Sequence, residues 1–328
     1  MYGKLIGTGS YVPERILTNE DLKQFVETDD AWIQERTGIA RRHIMQQETT
    51  KDMAVEAGLR ALTAAGKAPE DIQMLIVCTV SSDICLPSTA CYVQEKLQAK
   101  NAMCFDINAA CTGFMMAYNT VQTYIHAGLI ETALIIGTEG LSHLVDWSDR
   151  GTCILFGDGA GAAVIQKDDT AVFHTAMHAD GTGGSALTCE NGFALRGRKM
   201  DESVADCSQW EKRTYIGMDG QEVCRFAVKR VPMIIKELLG QMEKTEQDID
   251  LFLLHQANKR IVESVAKRIG TSMEKVPMNL MEYGNTSSAS IPILLDELVR
   301  EERINRGQRI IMAGFGAGLT WAATYLEY

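Results

Sequence analysis

The 328-residue chain has little of what marks several protein classes. It contains no run of 18 apolar residues, so no helical membrane span is expected. Its opening MYGKLIGTGSYVP has no long apolar stretch, so no secretory leader is expected either. Its nine cysteines are odd in number and scattered singly, with no CxxC pair and no His/Cys ligand spacing. A disulfide framework and a metal site are therefore not expected, whereas reduced thiols in a cytoplasmic protein are. Basic residues are in the minority, 32 Lys and Arg against 43 Asp and Glu, for a net charge of −11. That balance argues against nucleic acid or an anionic membrane surface as the main partner. The glycine-rich pieces lack phosphate-binding signatures. GTGSYVP has no GxGxxG pattern, and FGDGAGA (156–162) lacks the Lys-Ser/Thr of a P-loop.

What is present is an α/β pattern. The chain is 46% hydrophobic and 23% charged, enough for a large packed core. Helical apolar spacing runs through KDMAVEAGLRALTAAG (51–66) and TGFMMAYNTVQTYIHAG (112–128), the latter ending at Gly128. STACYVQEKLQA (88–99) reads as a helix capped by Ser88. MLIVCTV (74–80), AMCFDINA (102–109), ALIIGTEG (133–140) and GAAVIQK (161–167) read as strands, the first buried on both faces.

The pattern then repeats. PEDIQMLIVC (69–78) resembles EQDIDLFLLH (246–255) with Asp71 and Asp248 separated by 177 residues. ALIIGTEG (133–140) resembles RIIMAGFG (309–316) at an offset of 176. An amphipathic helix precedes each Asp-Ile strand, 51–66 in one half and 222–242 in the other. The repeat is too long for a solenoid and implies two duplicated α/β halves, 1–170 and 171–328.

Within INAACTGF (107–114), Cys111 follows a strand and opens a helix. By base rate a free cysteine is a small buried residue. At a strand-to-helix turn it could instead be a nucleophile whose pKa the helix start lowers. The repeat offset places Cys111 within a few residues of GNTSSASIPILLDELV (284–299), where Asn285 also precedes a helix. His255 ends the strand equivalent to the one ending at Cys78. Ligands of open α/β sheets sit at the carboxyl ends of strands. Cys111, His255 and Asn285 are therefore expected to face one cleft. Read singly, His255 could be a buried histidine satisfied by backbone, and Asn285 a cap or turn residue.

Five motifs in order carry a family resemblance: AACTGF around Cys111, DRGTCILFGDGAGAAV (149–164), LLHQANKRI (253–261), YGNTSSASIP (283–292) and GFGAGLTW (314–321). Over essentially its whole length the chain resembles the β-ketoacyl-[acyl carrier protein] synthase III enzymes, which initiate type II fatty acid synthesis. The resemblance implies a five-layered thiolase-like fold (αβαβα) of two similar halves, and a homodimer joined at strand 102–109. It implies that a short acyl group passes from acyl-CoA to Cys111 and condenses with malonyl-[acyl carrier protein] as CO₂ leaves. His255 and Asn285 would stabilise the enolate oxygen, and the backbone N–H groups of Cys111 and of the turn at Gly316 and Ala317 would form the oxyanion hole. No cofactor is implied beyond these substrates.

For coenzyme A, the resemblance implies that Trp32 stacks on the adenine with Arg150 across the ring. Arg36 would meet a phosphate, Thr28 the base, and Asn258, one helical turn after His255, the pantetheine arm. Arg225, Arg260 and Lys267 would dock acyl carrier protein, although charged clusters are usually solvated faces. Leu86 occupies a position that is often aromatic in the family and helps close the partner's acyl pocket. The polar segment 197–217 reads as an exposed loop. His43, His126, His143, His174 and His178 match nothing catalytic.

Three other readings stay open. The Cys…His…Asn order is that of papain-like hydrolases, with His lying 144 residues after Cys, but the CGSCW signature is absent. A thiolase-fold acyltransferase of secondary metabolism would share the motifs. A non-catalytic acyl-CoA binder would not need the nucleophile.

Overall fold

The computed structural model describes residues 1–190 and 215–328. Its strands, in chain order, are β1 (Tyr2–Tyr11), β2 (Ile16–Thr18), β3 (Arg41–His43), β4 (Met74–Cys78), β5 (Met103–Ile107), β6 (Thr132–Gly140), β7 (Asp158–Asp168), β8 (Phe173–Ala179), β9 (Leu187–Thr188), β10 (Gly217–Met218), β11 (Leu251–Leu254), β12 (Arg309–Gly316) and β13 (Thr320–Glu327). The continuous apolar runs of β4 and β6 are buried along their whole length, as strands covered on both faces must be.

Two main sheets follow from these strands. One has the order β1-β7-β6-β4-β5 and the other β11-β12-β13-β8. In the first, β4 and β6 are parallel, and β7 and then β1 add antiparallel. In the second, β11 and β12 are parallel, and β13 and then β8 add antiparallel. The sheets therefore share order and sense, with β5 as an extra edge strand on the first. Register agrees as well: Met74 lies opposite Ala133, and Leu251 opposite Ile310.

Three buried clusters show how the layers stack. Helices Thr50–Ala65 and Thr89–Leu97 cover the outer face of the first sheet, with Met53, Ala57, Ala61 and Val93 against Leu75, Val77, Leu134 and Ile136. Helices Gly113–His126 and Ser290–Arg300 lie between the sheets, where Phe114, Tyr118, Val121, Ile291, Leu294 and Leu298 meet Ile76, Ile135, Leu253 and Met312. Helices Gly220–Gln241 and Lys259–Ile269 close the far side through Val231, Ile235, Leu238, Val262 and Val265. The result is the αβαβα stack.

Local chemistry sets the element ends. Thr49 and Asp52 form a capping box at the start of Thr50–Ala65, and Ser88 accepts from the Cys91 amide at the start of Thr89–Leu97. The helix expected to run to Gly128 stops at His126, and Gly128 takes the left-handed position after it at φ 74°. The expected loop 197–217 lies outside the described residues up to 214. Of its last three residues, Ile216 is buried and Gly217 belongs to β10.

The central layer is pressed tightly onto its sheets. A Cβ on Gly137 of β6 would lie 2.4 Å from the Ser288 carbonyl oxygen, so only glycine lets the two backbones meet. Nearby, the buried Asp296 carboxylate accepts hydrogen bonds from Thr8 and Ser10 of β1 and pairs with Arg300. It ties the second central helix to the first sheet. Removing it strands two buried hydroxyls, so Asp296→Ala should lower the unfolding free energy by about 2–4 kcal/mol. Denaturant midpoints would read this. A shift within about 0.5 kcal/mol, the range of ordinary surface changes, would contradict the role given to the carboxylate.

Candidate active site

The first central helix does not begin directly from β5. A 3₁₀ turn, Ala110–Thr112, intervenes, and Ala110 is held at φ 46°. The second central helix has the same entry, a 3₁₀ turn Ser287–Ala289 with Ser287 at φ 48°. Left-handed backbone costs a non-glycine residue roughly 1–2 kcal/mol, so each turn must be held by its surroundings. The two turns are 177 residues apart, the offset of the sequence repeat. By that offset Cys111 pairs with Ser288, while Asn285 stands three residues earlier.

The turns meet at Cys111. The Cys111 thiol donates to Ser287 Oγ at 3.5 Å. Gly316, the last residue of β12, lies against the Cys111 backbone. A Cβ there would sit 2.8 Å from the Cys111 nitrogen. Among the described residues neither the Cys111 N–H nor the Ala317 N–H reaches a backbone carbonyl, so both remain available as donors.

His255 follows β11 and extends its ladder, donating its backbone N–H to Ala313 at 2.9 Å. Its ring is buried, with Nδ1 2.7 Å from Ser290 Oγ and Phe315 edge-on at 5.5 Å. Burial holds the imidazole at a pKa of about 3, so it is neutral over the physiological range. Asn285 is seated by a parallel bridge to Phe156 and is 8% exposed. Its Oδ1 accepts the Ser287 N–H at 2.9 Å, and its Nδ2 has no acceptor among the described residues.

The thiol does not behave as the helix start alone suggests. Burial pushes Cys111 up to about 12, and the nearby Glu139 carboxyl adds to the rise, outweighing the hydrogen bond with Ser287. Glu139 is itself fully buried. It accepts from Ser81 Oγ at 2.6 Å, Ser288 Oγ at 2.9 Å and Val80 N at 3.1 Å. Desolvation nevertheless raises its pKa. The expectation of a lowered thiol pKa is thus corrected: dehydration dominates at this helix start.

One cavity of about 1800 Å³ joins these groups to the surface. Buried Cys111, His255, Asn285, Phe315 and Gly316 and half-buried Ala317 line its inner part, and half-buried Trp32 with exposed Arg36 and Arg150 its mouth. Arg36 and Arg150 cover Trp32, their guanidinium carbons 4.6 and 4.7 Å from its ring centre. A flat base between Trp32 and Arg150 needs about 7 Å, two van der Waals contacts, so Arg150 must swing away to admit one.

Asn258, Arg225 and Arg260 also line the cavity. Asn258 is not one helical turn beyond His255. It is the extended N-cap of helix Lys259–Ile269, accepting from the Arg260 N–H and donating to Arg36 O at 3.0 Å. Arg260 donates to the Glu35 carbonyl at 3.0 Å. Thr28, Lys267 and Leu86 are not among the lining residues. Thr28 Oγ1 is buried without a hydrogen-bond partner among the described residues, Lys267 is exposed, and Leu86 is 89% exposed just before helix Thr89–Leu97. Sequence reasoning had not singled out Glu139, Ser287, Ser290 or Phe315, although the two serines lie inside YGNTSSASIP and Phe315 inside GFGAGLTW.

Residues 105–181 match the family model for 3-oxoacyl-[acyl-carrier-protein (ACP)] synthase III, and residues 239–328 match that for its C-terminal part. The β-ketoacyl-[acyl-carrier-protein] synthase III of Clostridium acetobutylicum is 45% identical over 326 residues, covering 99% of this chain and 98% of that one. The chain belongs to the 3-oxoacyl-[acyl-carrier-protein] synthase III family. The Neisseria meningitidis member is 44% identical over 330 residues, covering 100% of this chain and 99% of that one. Among solved structures, the Aquifex aeolicus synthase III superposes with a TM-score of 0.91 at 40% identity, covering 99% of this chain and 100% of that one. The priming β-ketosynthase of the R1128 polyketide biosynthetic pathway superposes at 0.93 with 34% identity, covering 99% and 96%. The synthase III fold is thus the thiolase-like stack described above. Among the described residues no helix is long and apolar enough to cross a membrane, and no cluster of His, Cys, Asp and Glu could hold a metal ion.

With its pKa pushed up to about 12 by burial, the Cys111 thiol stays protonated near neutral pH. Its thiolate fraction rises tenfold per pH unit below the pKa. Alkylation of Cys111 by iodoacetamide should therefore climb steadily from pH 7 to beyond pH 10 without a plateau near the ordinary thiol value of about 8.5. Rates from intact-protein mass spectrometry would check this, and a plateau below pH 8 would contradict the dehydrated setting.

Proposed function

We propose that this chain is the initiating condensing enzyme of type II fatty acid synthesis. It transfers a short acyl group from acyl-CoA to Cys111 and condenses it with malonyl-[acyl carrier protein]. The observation that carries this reading is the convergence of a dehydrated thiol, a neutral imidazole and a free carboxamide donor in one cavity.

In the first half-reaction Cys111 Sγ bonds to the acyl carbon and the bond from that carbon to the CoA sulfur breaks. Exchange between two sulfurs needs no net acid or base, since the proton leaving Cys111 is matched by one gained by CoA. The N–H groups of Cys111 and the Gly316–Ala317 turn serve as donors to the passing oxyanion. In the second half-reaction malonyl thioester loses CO₂ and its oxygen takes up negative charge. His255 and Asn285 Nδ2 meet that oxygen with fixed neutral donors in a dry site, where such donors act most strongly. The new carbon–carbon bond expels Cys111 as thiolate, which recovers a proton as the cycle closes.

Trp32, Arg36, Arg150, Thr28 and Asn258 form the coenzyme A subsite on this reading. Arg225, Arg260 and Lys267 offer positive charge to an acidic carrier protein. The enzyme works in the cytoplasm and needs no cofactor beyond its thioester substrates. It is a homodimer of chains whose duplicated halves are 1–170 and 171–328. The edge position of β5, with Met103 46% and Leu86 89% exposed, supports pairing with a second copy. Likeness to a priming β-ketosynthase of a polyketide pathway favours one second reading, the same chemistry on another primer.

Incubation with acetyl-CoA should leave an acyl adduct on Cys111 by mass spectrometry. Cys111→Ala should abolish it with the fold kept. His255→Ala should still acylate but lose roughly 100- to 1000-fold in β-ketoacyl product formation. Equal loss of both steps would contradict the division of labour. Leu86→Phe should shift relative kcat/KM toward shorter donors across a panel of straight and branched acyl-CoA thioesters. An unchanged profile would remove Leu86 from the acyl pocket.

A further inference from the structure

Ser290 opens the second central helix and is 2% exposed, directly behind the His255 ring. Its Oγ lies 2.7 Å from His255 Nδ1, and the backbone N–H of Gln256 also points at it, at 3.4 Å. A hydroxyl has one proton and two lone pairs. If Nδ1 carried the imidazole proton, Ser290 Oγ would accept from both Nδ1 and Gln256. Its own proton would then have no acceptor among the described residues, on a side chain only 2% exposed. If the Ser290 hydroxyl instead donates to Nδ1, Oγ accepts from Gln256 and Nδ1 accepts from Oγ, and only the ring proton on Nε2 lacks a partner among the described residues, on a ring that lines the cavity. Buried polar groups are paired almost without exception, and this count selects the second arrangement.

We propose that Ser290 is a positioning residue: by donating to His255 Nδ1 it fixes the Nε2–H tautomer, leaving Nε2 as the donor that meets the substrate's thioester oxygen. The proposal rests on the function given above and deepens it. Asn285 is set by the same logic five residues earlier, since the Ser287 N–H occupies Oδ1 and leaves the amide nitrogen for the substrate. One segment, 285–290, thereby aims both donors. The depressed imidazole pKa agrees with a ring that holds one proton only.

The test begins with the unaltered protein labelled with ¹⁵N-histidine, the His255 signals being assigned by their loss in His255→Ala. Nδ1 should resonate as an unprotonated acceptor and Nε2 as a protonated nitrogen. Ser290→Ala should acylate Cys111 at the unaltered rate, while the kcat of condensation falls roughly 10- to 100-fold with little change in the malonyl thioester KM. Its His255 signals should show mixed tautomers, and Ser290→Thr, which keeps the hydroxyl, should restore both signal and rate. A protonated Nδ1 in the unaltered protein would overturn the proposal, as would full condensation by Ser290→Ala. An unaltered protein that acylates but never condenses would overturn the function instead, and the tautomer measurement would still decide the hydrogen bond.

Discussion

The site depends on one close contact. Two helices lie end-on between two sheets, and their entry turns touch where the Cys111 thiol meets Ser287. Neither turn is stable by itself, because Ala110 and Ser287 both occupy backbone space that suits glycine. Each is held by the other and by the sheets beneath. Gly316 admits the Cys111 backbone and Gly137 admits the Ser288 carbonyl. Cys111 is therefore placed by main-chain packing, and the flexibility of a long side chain has no part in it.

That packing also fixes the electrostatics. Burial opposes charge on the groups around this pocket. It raises the thiol of Cys111, raises the carboxyl of Glu139 and lowers the imidazole of His255. The thiol and the imidazole are therefore both uncharged near neutral pH. On the proposed function, charge appears only when a substrate brings a thioester whose oxygen can carry it, and His255 and Asn285 are held ready as its donors. Preorganisation of this kind is what an enolate-forming reaction requires.

Much of this was legible in the chain. The repeat showed because Asp71 and Asp248 precede apolar strands of the same pattern, and the strand orders of the two sheets follow from it. Cys111, His255 and Asn285 were legible because strand ends and helix starts are where α/β sheets bind ligands. The two strained turns were not, since alanine and serine carry no signal of a left-handed backbone. Asn258 misled because an N-cap three residues after His255 reads, by spacing alone, like a helical turn. The pKa of the thiol misled for a deeper reason. A helix start is visible in a sequence, whereas the water excluded from around it belongs to the assembled layers. Ser290 sat in plain view within YGNTSSASIP, yet its partner is 35 residues away and only the fold joins them.

The raised pKa of Cys111 reaches beyond the reaction itself. Peroxide attacks thiolates, and a sulfur that stays protonated is a poor target for oxidation to sulfenic acid. A catalytic cysteine kept ionised at all times would be exposed to that damage through every idle interval between substrates. On the proposed function, the same burial that prepares the pocket for an acyl group also shelters the sulfur while the pocket waits, so reactivity is confined to the moments when a thioester is present.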